Sequence, residues 1–245
     1  MDMDGTLGFS LIPEEIGMSI ALKYVSDEVA KLTGQDANLV EIRQLYDRIK
    51  GIQYKLYPLQ TRRHDKALRF KLILEELSRV KGIKTPVSMV DKIMDLYWEV
   101  FESKAEPYPQ THSTLEALKR DYKVIIITNN GKEEGERKRK IFGLESDKHY
   151  DLFITSEELH NTCKPSEKYF GRVLSFIKSS LDIDANPKKI VIIGDDPSGD
   201  IALANMCGVS SVRIKKDLHS SEQPRNDLER ACVEINEINE LLGIL

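Results

Sequence analysis

Two carboxylates open this sequence, Asp2 and Asp4, and Gly5 and Thr6 follow them directly. In an extended segment, the side chains of residues i and i+2 point to the same face. A turn at Gly5 would end that segment, so both carboxylates would stand at the carboxyl end of a strand, where open α/β sheets bind ligands. Such a pair can supply a nucleophile and a proton donor, and it attracts a divalent cation. Acidic residues beside a glycine are also common in ordinary turns, so the pair alone leaves both interpretations open.

Polar residues also follow the later apolar runs of the chain. Thr128 and Asn129 come directly after one run, and Lys164 begins the predicted helix after the next. The last of these runs is followed by three further carboxylates, Asp195, Asp196 and Asp200. Parallel strands end at the same edge of a sheet, so we expect all of these groups to lie near the two N-terminal carboxylates.

Carboxylates crowded at one edge repel one another, and their pKa values rise unless cations lie between them. A Mg²⁺ ion, which prefers oxygen ligands, would relieve this repulsion together with Lys164. The set suits phosphoryl transfer, because the cations neutralise phosphoryl oxygens, Thr128 donates a hydrogen bond and Asp2 attacks in line. Taken singly, each motif is also typical of a turn, a helix cap or a solvated loop. Their order at successive strand ends favours one shared site.

In this order the motifs resemble those of the haloacid-dehalogenase (HAD) superfamily of hydrolases, in the subgroup with a helical cap inserted after the first motif. The matching segments are Asp2-Met3-Asp4-Gly5-Thr6, Thr128-Asn129, Lys164-Pro165, and Gly194-Asp195 through Asp200. The resemblance implies that Asp2 is the nucleophile and that Asp4 acts first as general acid and then as base. It also implies that the phosphoryl group is held by Thr128, Asn129 and Lys164.

The same resemblance implies where a Mg²⁺ ion would bind. Its ligands would be the Asp2 carboxylate, the backbone carbonyl of Asp4 and the Asp195 carboxylate. Either Asp196 or Asp200 would complete the ligand shell or orient Lys164, and the sequence leaves both possibilities open.

Asp4 distinguishes two reactions within that family. Phosphatases and phosphomutases resemble this chain in carrying the second Asp, whereas dehalogenases lack it. The physical reason is that an alkoxide leaving group needs a proton and a halide does not. The sequence therefore predicts a phosphatase that hydrolyses a small phosphomonoester through an aspartyl-phosphate.

Three alternatives stay open at this point. A phosphomutase would use the same core chemistry. A phosphorylation-dependent binding module, resembling response-regulator receivers, would also carry an acidic cluster, a hydroxyl residue and a Lys at strand ends, but receivers lack a long helical insertion. A catalytically inactive relative could retain the motifs for partner binding.

The elements that must position these groups form two blocks. Helical periodicity predicts four helices at about 13–33, 39–49, 63–80 and 85–103, with Val40 on the buried side of the second and with Trp98 and Phe101 in the core. Such a helical block is too long for an ordinary crossover and predicts a separate bundle. It follows the acidic strand end directly, so we expect it to act as a lid.

The rest of the chain alternates apolar runs with helical segments. The expected strands cover 122–127, 151–155, 190–193 and 211–214, and 228–245 is expected to form one helix. This alternation predicts a parallel sheet. The expected fold is therefore α/β, with a Rossmann-like parallel sheet core and an inserted all-helical cap domain. The core would comprise 1–9 and 108–245, and the cap 10–107.

Composition narrows the class of protein. The chain has 245 residues, 40% of them hydrophobic and 31% charged, which is typical of a globular protein. Its net charge of −4 and pI near 5.8 argue against a nucleic-acid partner. Three cysteines without metal-ligand spacing, no long apolar run and no signal peptide predict a cytoplasmic protein without a membrane partner. The expected partner is a small phosphorylated metabolite, and the sequence leaves the oligomeric state undetermined.

The start of the sequence raises one further expectation. Family members that resemble this chain carry several apolar residues ahead of the first Asp, where they form a central strand. Only Met1 precedes Asp2 here. We therefore expect the natural start codon to lie upstream, and the intact mass of the native protein tests this.

Overall fold

The computed structural model describes residues 1–35, 38–86, 88–216 and 222–245. The chain divides into two compact units. The α/β unit comprises Met1–Leu11 and Ala105–Leu245, and the helical unit comprises Ile12–Lys104. Within the described ranges, no helix is long and apolar enough to cross a bilayer. An α/β chain with parallel strand pairing and an all-helical insertion confirms the predicted fold class.

The helical unit is built from four helices: α1 (Leu11–Thr33), α2 (Leu39–Leu56), α3 (Lys66–Lys81) and α4 (Ser88–Lys104). The α2 helix starts at Asn38, whose side chain accepts a hydrogen bond from the Val40 amide at 2.9 Å. The prediction that Val40 is buried was wrong, since 61% of this residue is exposed. The buried side of α2 runs through Ile42, Leu45 and Tyr46, and helical periodicity puts Val40 on another face.

Aromatic residues of α4 lie in the core of the helical unit. Trp98 is 8% exposed and Phe101 is fully buried, as predicted, and their ring centroids lie 5.4 Å apart. The α1 helix approaches α4 closely at Gly17, because a Cβ atom on that glycine would lie 2.9 Å from the carbonyl oxygen of Tyr97. The core of this unit therefore depends on a glycine contact that a larger side chain would disturb.

The α/β unit contains seven short strands and four helices in the described residues. Its elements in chain order are β1 (Gly8–Phe9), β2 (Glu106–Pro107), α5 (Thr111–Leu118), β3 (Ile125–Thr128), α6 (Lys132–Ile141), β4 (Leu152–Thr155), α7 (Glu167–Leu181), β5 (Val191–Gly194), α8 (Ala202–Met206), β6 (Ser210–Ile214) and β7 (Val233–Ile235). A π-helical turn, Pro197–Ile201, leads into α8. Strands β1 and β2 pair antiparallel where the chain leaves and re-enters the unit.

The parallel strands form two groups, with β3 pairing β4, and β6 pairing both β5 and β7. The first residues of the chain lie between the groups. The Met1 amino group donates to the Ile125 carbonyl, and the Met1 carbonyl accepts from the Ile127 amide, both at 2.8 Å. On the other side, the Asp2 amide donates to the Ile193 carbonyl at 2.8 Å. The strand order is therefore β4–β3–(1–2)–β5–β6–β7.

The core of this sheet is apolar, as the strand sequences predict. Its central cluster joins residues of β3, β4 and β5 to those of α7 and α8, among them Ile127, Ile154, Tyr169, Ile192 and Leu203. This packing fixes the carboxyl ends of the strands, from which the polar residues project.

Two element predictions need correction. Strand β3 begins at Ile125 instead of residue 122, since Tyr122 is 44% exposed and lies before the paired segment. The segment 228–245 is not one helix. It contains the 3₁₀ turn Asp227–Glu229, then β7, and then the 3₁₀ turn Ile238–Gly243. Pairing of β7 with β6 takes up the backbone groups that a helix would have used.

Candidate active site

Asp2 lies between strands β3 and β5, at the centre of the sheet. Its residue is 8% exposed, and its backbone is held by the amide hydrogen bond to Ile193. The Lys164 ammonium donates to its Oδ1 atom at 2.5 Å. The Thr6 hydroxyl, which is fully buried, lies 3.5 Å from its Oδ2 atom and donates to Asp195 Oδ1 at 3.0 Å. Asp2 is thus a buried residue whose backbone is fixed by the sheet and whose carboxylate is fixed by the Lys164 ammonium.

Lys164 precedes helix α7 and is 5% exposed. Its ammonium donates to Asp2 and, at 2.6 Å, to Asp200 Oδ1. Its backbone amide donates to the side-chain Oδ1 of Asn129 at 2.8 Å. The predicted residue Asn129 therefore holds the Lys164 backbone, and the Lys164 ammonium links Asp2 to Asp200 in the π-helical turn after β5.

Three carboxylates form the acidic centre, which we define as Asp2, Asp195 and Asp200; one oxygen of each lies within 4.8 Å of the others. Burial raises the pKa of Asp2 to about 7, against the lowering effect of Lys164 and with a further raising effect of Asp200. Burial also raises the pKa of Asp195 well above its ordinary value, as do the charges of Asp2 and Asp200. Burial alone would lower the pKa of Lys164, but Asp2 and Asp200 outweigh it and raise that pKa. With all three carboxyl groups ionised, the centre would therefore be unfavourable unless a further cation lay among them.

Two glycines make room for this centre. At Gly5 the φ angle is +70°, and a Cβ atom there would lie 2.4 Å from Asp195 Oδ2. At Gly194 a Cβ atom would lie 2.2 Å from Asp200 Cγ. Both positions accept only glycine without displacing a carboxylate.

Asp196 has a different environment from Asp200. Its Oδ1 atom accepts hydrogen bonds from the Ser198 amide and hydroxyl, both at 2.8 Å, so this carboxylate caps the turn before α8. Of the two residues that the sequence left as alternatives, Asp200 is the one that contacts Lys164 and lies with Asp2 and Asp195.

The Asp4 side chain contacts residues that follow β3 in the chain and is not one of the three carboxylates of the acidic centre. The Asn130 side-chain amide donates to Asp4 Oδ2 at 2.6 Å and to the Thr128 hydroxyl at 2.9 Å. The ammonium of Lys138 lies 3.0 Å from Asp4 Oδ1. Asn130 therefore links Asp4 to Thr128, and the Asp4 side chain keeps 19% of its surface exposed.

The sequence interpretation gave no role to three residues here: Thr6, Asn130 and Lys138. Thr6 and Asn130 adjoin residues that were singled out, and their hydrogen-bonding side chains could have marked them. Lys138 lies in the highly charged helix α6, where nothing in the sequence pattern distinguishes this buried lysine from the charged residues beside it.

The acidic centre fits a divalent cation. Its donors are carboxylate oxygens, which Mg²⁺ prefers, and one lysine does not balance three buried carboxylates. The centre can therefore hold a nucleophilic carboxylate, a cation and a phosphoryl group at one sheet edge. Asp4 stands two residues from Asp2 as a further carboxylate with its own partners, Asn130 and Lys138.

The chain resembles proteins of known family. The sequence profile of the haloacid dehalogenase-like hydrolases matches residues 43–214. The glyceraldehyde 3-phosphate phosphatase of Methanopyrus kandleri is 26% identical over 213 residues, covering 86% of this chain and 83% of that protein. The ribulose-1,5-bisphosphate 5-phosphatase of Halopiger xanaduensis is 30% identical over 172 residues, covering 70% of this chain and 66% of that protein.

Among solved structures, a HAD phosphatase from Thermococcus onnurineus superposes with a TM-score of 0.67 at 26% identity, covering 99% of this chain and 94% of that one. The HAD hydrolase YfnB of Bacillus subtilis, described as bound to magnesium, gives a TM-score of 0.66 at 18% identity, covering 100% and 96%. At that identity the second likeness shows the fold alone. With its fold, its motifs and these matches, the chain belongs to the haloacid dehalogenase-like hydrolase family.

Proposed function

We propose that this chain is a Mg²⁺-dependent phosphatase that hydrolyses a small phosphomonoester through an aspartyl-phosphate on Asp2. The observation that carries this proposal is the placement of the Asp2 carboxylate, 2.5 Å from the Lys164 ammonium and beside Asp195 and Asp200, with Asp4 two residues further along. A buried carboxylate beside a fixed ammonium group suits in-line attack on phosphorus, because the Lys164 ammonium neutralises charge on the phosphoryl oxygens.

The residues that would hold the cation are Asp2, Asp195 and the backbone carbonyl of Asp4. When bound, Mg²⁺ supplies Lewis-acid stabilisation of the phosphoryl oxygens and relieves repulsion among the buried carboxylates. Asp200 orients Lys164 by accepting its hydrogen bond at 2.6 Å. Burial, with the charges of Asp200 and Asp4, raises the pKa of Asp2 to about 7, and a bound cation would favour its ionised form.

The reaction would proceed in two displacements. An oxygen of Asp2 bonds to phosphorus while the bond to the leaving oxygen breaks, and Asp4 gives its proton to that oxygen. Asp4, now a carboxylate, then takes a proton from water as the water oxygen bonds to phosphorus and the bond to Asp2 breaks. Inorganic phosphate leaves, and both carboxyl groups return to their first state. Thr128 and Lys164 would hold the phosphoryl oxygens throughout.

Asp4 favours a phosphatase over a dehalogenase. A halide leaves without a proton, so a dehalogenase has no use for an acid held by Asn130 and Lys138. The named activities of the two phosphatase relatives support the same choice, and they support a small phosphorylated sugar as the substrate class. The cysteines of the described residues, Cys163, Cys207 and Cys232, are all free thiols, which supports a cytoplasmic enzyme.

A screen of phosphorylated metabolites for release of inorganic phosphate tests the proposal. We expect turnover that requires Mg²⁺ and stops with EDTA. Asp2→Asn should abolish it, because an amide is not a nucleophile, while Asp184→Asn, a change at a side chain that is 86% exposed, should leave it intact. An Asp2→Asn variant that keeps more than about one hundredth of the wild-type rate would overturn the assignment. A phosphomutase would return the phosphoryl group to an isomer of the substrate instead of releasing phosphate.

A further inference from the structure

Lys138 is a fully buried lysine in a helix whose other residues, apart from Gly135 and Ile141, are all charged and either half-buried or exposed. Helix α6 has the sequence KEEGERKRKI, and the side chain of Lys138 is 1% exposed. A lysine ammonium is seldom buried unless negative groups compensate it. Here two carboxylates do so: Asp4 Oδ1 at 3.0 Å and Glu134 Oε1 at 3.1 Å.

Glu134 lies one helical turn before Lys138, and this i,i+4 pair holds the lysine side chain against its own helix. A second contact of the same ammonium reaches away from the helix. That contact is with Asp4, on the segment that carries the proposed nucleophile. The side chain of Lys138 thus links helix α6 to the segment that carries Asp2 and Asp4.

The two oxygens of Asp4 are held separately. Asn130 donates to Oδ2, and Lys138 lies against Oδ1. A hydrogen bond on one oxygen and an ion pair on the other restrict the orientation of this short side chain more than either contact alone. With 19% of the side chain exposed, the carboxyl group can still meet a leaving group or a water molecule.

We propose that Lys138 is a positioning residue for the proton transfers of Asp4, and this inference rests on the proposed phosphatase function. Lys138 holds Asp4 Oδ1 in place while the Asp4 proton passes to the leaving oxygen as its bond to phosphorus breaks. It holds the same carboxylate while Asp4 takes a proton from the attacking water and the bond between phosphorus and Asp2 breaks. Lys138 contacts no substrate and forms no bond in either step.

A purely structural ion pair would make a different prediction. If Lys138 only anchored helix α6, its loss would lower stability and slow the turnover of every substrate by the same factor. A positioning role acts only where Asp4 must transfer a proton. The dependence of the rate on the leaving group therefore separates the two roles.

The test compares two substrates in the presence of Mg²⁺. p-Nitrophenyl phosphate has a leaving group that departs without protonation, whereas an alkyl phosphate such as glycerol phosphate needs a proton on its leaving oxygen. Lys138→Met should lower kcat/KM for the alkyl phosphate about 10²-fold more than for p-nitrophenyl phosphate, in the range of general acid catalysis. Lys138→Arg, which keeps a cation, should restore most of that ratio. Lys140→Met, at an exposed lysine of the same helix, should change neither rate.

A second readout follows the covalent intermediate. With p-nitrophenyl phosphate, Lys138→Met should release about one equivalent of p-nitrophenolate in a burst before slow turnover, because loss of the positioned base slows hydrolysis of the aspartyl-phosphate. Equal losses for both substrates, with no burst, would overturn the inference.

If Lys138→Met does not fold, Glu134→Gln serves instead, and it should shift the substrate ratio in the same direction by a smaller factor. A wild-type protein that releases phosphate from neither substrate nor from any screened metabolite would overturn the proposed function itself.

Discussion

Replacing Lys164 by methionine removes the ammonium group that lies between two buried carboxylates. Its Nζ atom is 2.5 Å from Asp2 and 2.6 Å from Asp200, and its side chain is 3% exposed. Methionine keeps most of the side-chain volume, so the change isolates the charge. Without the ammonium group, the acidic centre keeps three buried carboxylates, and two of them lose their contact with a positive charge.

The size of the effect follows from burial. Removing one partner of a buried ion pair costs about 3–5 kcal/mol of folding free energy. For a chain of this length each kcal/mol corresponds to about 2–4 °C in Tm, so we expect a decrease of about 6–20 °C. Lys178 provides a matched control, because its ammonium also contacts two carboxylates, Asp182 at 2.8 Å and Asp184 at 3.0 Å, but its side chain is 47% exposed. Ion pairs at exposed side chains are weakened by solvent, so Lys178→Met should lower Tm by much less than Lys164→Met does.

Thermal unfolding followed by circular dichroism, without divalent cations, measures both variants. A carboxylate whose folded pKa is raised takes up a proton on folding, so its unfavourable contribution grows as pH rises above the unfolded pKa of about 4. The pKa of Asp2 is already about 7 with Lys164 present. The deficit of Lys164→Met relative to wild type should therefore be larger at about pH 8 than at about pH 5.5. Mg²⁺ should recover part of it.

Two results would refute this reasoning. Equal Tm decreases for Lys164→Met and Lys178→Met would show that burial does not set the cost. A Tm difference between Lys164→Met and wild type that does not depend on pH would show that the neighbouring carboxylates keep a compensating charge without Lys164.

Further predictions concern packing and pH. Gly194→Ala would bring a Cβ atom to 2.2 Å from Asp200 Cγ, and we expect at least about a 10²-fold loss in kcat, measured by phosphate release at saturating substrate. Gly17→Ala would bring a Cβ atom to 2.9 Å from the Tyr97 carbonyl oxygen and should destabilise the helical unit by about 1–3 kcal/mol, measured in urea by the fluorescence of the single tryptophan. Burial, with a smaller effect of the neighbouring histidine ring, lowers the pKa of His149. The unfolded chain therefore binds the extra proton first, and this residue's contribution to stability should be lost as pH falls below about 6.5. The pH dependence of Tm should weaken in His149→Gln, and an unchanged dependence would contradict that assignment.

The apolar runs made the centre of the fold predictable. Residues 124–127 and 190–193 are apolar on both faces, which is typical of a strand covered by helices on each side, and both runs overlap the observed strands β3 and β5. Strand ends were displaced by one to three residues, because the last hydrogen bonds depend on the partner strand. Thr128, for example, belongs to β3 because it pairs with Thr155.

The C-terminal segment shows why the remainder was not predictable. Ile235, Ile238 and Leu241 are buried at spacings of three residues, which resembles one face of a helix. In the structure Ile235 belongs to a strand that pairs with Ile214, and the other two lie in a 3₁₀ turn. Whether this segment forms a strand or a helix depends on whether β6 has an edge available for pairing. A local sequence pattern does not contain that information.

The residues of the candidate site were also only partly predictable from the sequence. The motif residues were recognisable because their chemistry and their places at strand ends coincide. Lys138 was not, because its burial depends on how helix α6 packs, and its neighbours in sequence carry the same charges. Asn130 was passed over in favour of Asn129, although the structure assigns them different partners: Asn129 holds the Lys164 backbone and Asn130 holds Asp4.

The backbone contacts of the first two residues also bear on the order in which the chain acquires structure. Met1 hydrogen-bonds to Ile125 across a sequence separation of 124 residues, and Asp2 bonds to the still more distant Ile193. On the ribosome, the proposed nucleophile must therefore wait until strands β3 and β5 have both emerged, whereas residues 12–104 can collapse on contacts made within their own segment. Closing the sheet around residues 1–2 and assembling the acidic centre are then one late event. Recovery of activity during refolding should accordingly lag behind the recovery of helical signal.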